Sequence, residues 1–194
     1  MKTRNDFVSN SSSSGFLVFL DKKLDKNSEE DVDYLKNLLY NDEQYIQDYC
    51  DDEEVYSSKR LSRVILEDLE EASDEDLLKF FENNGDDMFF VGHGWKENFG
   101  IQGIVDQAQK KFGYPDRDLD TFRKLPDAEK ECSYKEEEEQ MKVLAQELLK
   151  LFRDKFKNKI AYLVEFSDND GDPYPHLEHG STFQNIPSFK VSHH

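Results

Sequence analysis

Phe7-Val8-Ser9-Asn10-Ser11-Ser12-Ser13-Ser14-Gly15-Phe16-Leu17-Val18-Phe19-Leu20 sets a polar run between apolar residues. The chain turns apolar at once after the serines, so the run reads as a loop held against a buried strand rather than as a linker. The apolar part is short, charged residues follow it, and no small-residue cleavage site comes after it, so it is not expected to be a secretory leader. Leu17-Val18-Phe19-Leu20 is apolar at every position, as expected of a strand covered on both faces. Its natural partner lies near the other end. In Ile160–Phe166, the residues Ile160, Tyr162, Val164 and Phe166 alternate with Ala161, Leu163 and Glu165, which is strand periodicity. Phe189–His193 and Met88-Phe89-Phe90-Val91 are expected to edge the same sheet.

Between these strands the pattern is helical. Ser28 and Asp31 resemble a capping box. Val32, Leu35, Leu38, Leu39, Ile46 and Tyr49 then recur at helical spacing, and the like charges of Asp51 to Glu54 are expected to end that helix. Leu61, Val64, Ile65, Leu66 and Leu69 mark a second helix. Ser73 and Asp76 open a third, through Phe81, that stops at Asn83-Asn84-Gly85. Ile101 to Phe112 reads as helix, ended by Gly113 and Pro115. Tyr114 to Lys130 reads as polar and irregular. Ser133 to Lys157 is expected to be the longest helix, with Met141, Leu144, Leu148, Leu151 and Phe152 on one stripe. The fold class is therefore α+β. One domain, residues 1–194, is expected, with a small mixed or antiparallel sheet from strands near both termini. Several amphipathic helices cover it, and an acidic helical middle, 28–157, is inserted between the terminal strands.

A chain of 194 residues is long enough for one real core. Hydrophobic residues are only 36%, but 15 Phe and 9 Tyr supply large buried areas. The net charge of −18 excludes unassisted nucleic-acid binding and anionic membranes as the default partners. The charge is uneven: residues 21–100 hold 24 acidic against 9 basic side chains. Such a half can mimic a phosphate backbone or bind a basic protein; the plain alternative is a solubilising surface. Cys50 and Cys132 form no metal or redox motif and fit a reducing compartment. No apolar run approaches the ~20 residues that span a bilayer.

Four constellations can carry chemistry. Ser9, Asn10, Ser11, Ser12 and Ser13 offer hydroxyls and backbone N–H groups that can cradle an anion; the alternatives are a self-bonded turn or serines that are phosphorylated. Asp168-Asn169-Asp170-Gly171-Asp172 opens like a calcium loop. Counting from Asp168, however, the sixth position is Pro173 and the twelfth is His179, so the EF-hand pattern fails and Asn-Asp-Gly reads as turn chemistry. His176, Glu178, His179 and His193, with Asp168 and Asp170, form a candidate polar pocket for a divalent metal. Its alternatives are structural histidines or, for His193-His194, a tag remnant. His93, in Gly92-His93-Gly94-Trp95 at an expected strand end, is a secondary candidate; the alternative there is a tight turn with Trp95 packed on the core.

The opening Phe7-Val8-Ser9-Asn10-Ser11-Ser12-Ser13-Ser14 resembles the start shared by a group of uncharacterised proteins from bacteriophages and some bacteria. The ending is similar too: Glu165-Phe166-Ser167-Asp168-Asn169-Asp170-Gly171, then Glu178-His179-Gly180, then Val191-Ser192-His193-His194. Gly15 departs from the group, in which the serines run straight into an aromatic-aliphatic strand. The likeness covers about the first 20 and last 35 residues. It implies a viral or virus-derived origin, and with it the cytoplasm of a bacterial host; it carries no activity. Similar proteins also end Ser-His-His, which argues against a tag. Two functions follow as expectations. One is an acidic phage-type accessory protein that binds a basic host or viral protein, as a nucleic-acid mimic or inhibitor. The other is a small metal-dependent hydrolase or nucleotide-processing enzyme that uses the C-terminal His/Asp/Glu cluster.

Overall fold

The computed structural model describes residues 13–49, 52–84, 98–99, 102–112, 124–167, 170–179 and 182–193. The elements among them are, in chain order, β1 (Ser13–Leu20), α1 (Glu29–Leu39), β2 (Gln44–Tyr49), β3 (Asp52–Ser57), α2 (Ser58–Asp68), β4 (Glu70–Glu71), α3 (Asp74–Asn83), β5 (Asn98–Phe99), α4 (Gln102–Phe112), α5 (Asp127–Lys155), β6 (Ile160–Ser167), α6 (Tyr174–His179) and β7 (Ser188–His193).

The fold is α+β. Its main sheet runs β4-β6-β1-β7-β5, and every pairing is antiparallel. β1 is the central strand. It pairs with β6 from Ser13↔Ser167 to Leu20↔Ile160, and with β7 from Ser13↔His193 to Val18↔Ser188. The two terminal segments thus meet in one sheet, as the apolar run of β1 and the alternation of β6 lead one to expect. The expected edge strand Met88–Val91 lies outside the described residues. Among the described residues, two-residue strands, β4 and β5, hold the edges.

Both faces of β1 are covered. Leu17 and Phe19 lie on one face with Ala161, Phe189 and Val191, against Leu77 and Phe81 of α3, Ile104 of α4 and Leu144, Leu148 and Phe152 of α5. Phe16, Val18 and Leu20 lie on the other with Tyr162, Val164 and Phe166, against α1, α2 and Leu177 of α6. Aromatic rings fill both layers. Phe19 stacks on Phe152 at 5.4 Å and on Phe156 at 4.2 Å, while Phe16 meets Phe183 edge-on at 5.1 Å.

The helix starts follow the capping signals. The Ser73 hydroxyl accepts from the Asp76 amide at 3.2 Å, and the Asp76 carboxylate accepts from the Ser73 amide at 2.9 Å, a reciprocal box. At Ser28 only half the box forms. The Ser28 hydroxyl accepts from the Asp31 amide, but the Asp31 carboxylate turns to the Asp25 amide at 2.7 Å and to Lys22. Burial opposes ionisation of Asp31, yet Lys22 and the Asp25 amide outweigh it and hold the carboxyl below its ordinary value.

Three expectations are corrected. The first long helix ends at Leu39, and Gln44–Tyr49 is strand β2, paired with β3. Ile46 and Tyr49 fit a helical period, but in register they sit opposite Val55 and Asp52; β-branched and aromatic residues at such positions favour a ladder. Asp52 to Glu54 therefore belong to a strand and are no helix terminator. Second, the strands that 28–157 supplies to the main sheet among the described residues are β4 and β5, which no sequence pattern marked. Third, α5 begins at Asp127, straight after Pro126, so 127–130 is helical. Pro suits a helix start because its missing N–H needs no partner there. Among the described residues no helix is long and apolar enough to cross a membrane.

Candidate binding cleft

Polar groups gather where β1 begins and β6 ends. Ser13 sits between Ser167 and His193 in the sheet, and both Ser13 and Ser14 are buried. Beside this corner lies an open cleft of about 1000 Å³. Gly15, Leu163, Val164 and Glu165 of the sheet line it, with Asp68 at the end of α2, Glu70 in β4, Phe80, Asn83 and Asn84 at the end of α3, and Asp170 and Tyr174 from the C-terminal loop. Four of these side chains are carboxylates, and no Lys or Arg stands among the described lining residues.

Local sequence explains the placement. Ser58–Asp68 ends as a helix at Leu69, whose extended backbone turns the chain into β4, so Asp68 and Glu70 fall at one rim. Asn84 ends α3, and its side-chain amide donates to the Phe80 carbonyl at 2.8 Å, fixing the opposite rim. Asp170 and Gly171 turn the chain back toward the sheet. Gly171 has φ of 81°, the left-handed region that glycine tolerates. Gly171 fits the turn reading, while Asn169 lies outside the described residues. Tyr174 reports the local electrostatics. Burial first, and then a hydrogen bond with Asp68 and the charges of Asp68, Asp170 and Glu67, push its phenol up to about 12.

The C-terminal loop is clamped to the body at Asp172. The Tyr56 hydroxyl donates to Asp172 Oδ1 at 2.5 Å, and Arg60 donates to Asp172 Oδ2 at 3.1 Å. His176 is buried, with its ring 4.7 Å from that of Tyr56. It is thus a packed residue of α6.

The candidates from the sequence fare unevenly. Ser9, Asn10, Ser11, Ser12, His93 and Asp168 lie outside the described residues. Ser13 is a buried strand residue. Glu178 and His179 occupy α6, and His193 occupies β7 opposite Ser13. Asp170 is at the cleft and His176 in the Tyr56 clamp. Among the described residues no three His, Cys, Asp or Glu side chains group to hold a metal ion. Sequence reasoning missed Asp68, Glu70 and Glu165, because Asp68 and Glu70 sit in an ordinary acidic run, Glu67-Asp68-Leu69-Glu70-Glu71, far in sequence from Glu165, and only the topology joins them. The one available signal was Glu165, a charge within an otherwise apolar strand.

No protein-family model, curated protein or solved structure matches this chain.

Proposed function

We propose that the protein is an acidic binding module that engages a basic segment of another protein, as an accessory protein of the phage type its two ends resemble. One observation carries this reading: the cleft gathers Asp68, Glu70, Glu165 and Asp170, with no Lys or Arg among its described lining residues. Elsewhere several cations form ion pairs, as in Arg63–Glu29 at 2.6 Å, Lys59–Asp33 at 2.8 Å, Lys159–Asp21 at 2.7 Å and Arg153–Asp74 at 2.5 Å. Each such exposed pair adds little stability, and none of the four engages a carboxylate of the cleft, whose described lining is acidic. A field of this kind attracts Lys- and Arg-rich partners and speeds encounter. Among the described residues no specific contact favours the metal-dependent hydrolase.

The test is fluorescence anisotropy with a labelled arginine-rich peptide and a glutamate-rich control. The basic peptide binds at low salt and loses most of its affinity between about 50 and about 300 mM salt, as screened surface charges require. Equal behaviour of the two peptides, or binding indifferent to salt, counts against the reading.

A further inference from the structure

Among the described residues no strand pairs with the β6 edge beyond Leu163, beside this cleft, and the hydrogen-bond parity of that edge follows from two bonds. Ala72 N–H donates to the Ala161 carbonyl at 2.9 Å, and Phe19 N–H donates to the Pro187 carbonyl at 3.1 Å. In an antiparallel ladder the backbone groups of alternate residues point to opposite sides. Ala161, Leu163 and Glu165 therefore aim their N–H and C=O groups away from β1, toward the β4 side. β4 reaches only to Glu70↔Leu163, because the chain before it is already helix α2. The backbone of Glu165 faces the cleft with no strand opposite it among the described residues.

We propose that an extended basic segment of another protein adds to this edge as a further strand, its backbone pairing with Glu165 and its side chains meeting Glu70, Glu165 and Asp170. This rests on the reading above and states how the partner is held. Exposed strand edges recruit extended peptides through main-chain bonds, and pockets beside the edge choose the side chains. Charge selects the occupant: a second copy of this chain brings the same carboxylates and is repelled, whereas Lys and Arg are attracted.

The test uses the whole protein and a fluorescent peptide of alternating Arg and Val, made in three forms: unmodified, N-methylated on one alternate set of amides, and N-methylated on the other. Edge addition uses one set only. Methylating that set is expected to weaken binding by about tenfold, from the loss of the hydrogen bond to the Glu165 carbonyl and the clash of the added methyl with the strand, while methylating the other set leaves affinity nearly unchanged. Glu165→Gln keeps this asymmetry, whereas Glu165→Pro, which deletes the edge N–H and leaves the β1 ladder intact, loses it. If both methylated peptides bind alike and salt still governs them, edge addition is wrong and the acidic-module reading stands. If no form binds at low salt, both fall.

Discussion

The Tyr56 hydroxyl lies 2.5 Å from Asp172 Oδ1, joining the β2–β3 hairpin to the loop that carries Asp170 and Tyr174 into the cleft. Tyr56 is buried while Asp172 is half exposed, so the bond anchors a surface loop to the core. Tyr56→Phe keeps the ring contact with His176 and removes only the hydroxyl. It is expected to cost about 1–2 kcal/mol, read as a shift in the urea midpoint. A change within error shows that Arg60 alone holds Asp172.

Asp31 gives the fold an acid-sensitive joint. Its carboxyl is held below the ordinary 3.8 in the folded protein. The stability it supplies is therefore complete above that pH and is lost as pH falls through the folded value. Asp31→Asn should be less stable than the parent at neutral pH, and the gap should narrow as pH drops below about 4. Urea melts of both proteins across pH measure it; a gap that stays constant or widens in acid contradicts the assignment.

Packing should dominate stability. Phe152 is fully buried and stacks on Phe19 at 5.4 Å and Phe81 at 5.2 Å. Phe152→Ala should cost about 3–5 kcal/mol. Val143, on the same helix but half exposed, should tolerate Ala within about 0.5 kcal/mol. Chemical denaturation of the two variants compares them directly.

The sheet was legible because its central strands carry their burial in their own sequence. Phe16 to Leu20 has no polar position to expose, and Ile160 to Phe166 alternates cleanly. The caps at Ser28 and Ser73 were legible for the same local reason. The β2–β3 hairpin was not, because Ile46 and Tyr49 satisfy a helical period as well as a strand register, and cross-strand pairing decided between them. The cleft was beyond local reading. Asp68, Glu70, Glu165 and Asp170 share no motif, and they meet only because α2 stops one residue short of β4 while β6 runs on past it. The histidines cluster in the sequence, yet His176 is packed on Tyr56.

The central claim is that the cleft carboxylates hold a basic partner segment. Isothermal titration of an arginine-rich peptide into the parent and into a Glu70→Gln, Glu165→Gln, Asp170→Asn variant tests it most directly. Asp68 is left in place because it bonds Tyr174. The account predicts that the variant, with an unchanged melting profile, binds about tenfold or more weakly at low salt and shows a shallower salt dependence. Equal affinity of parent and variant would place any binding elsewhere on the acidic surface and contradict the account.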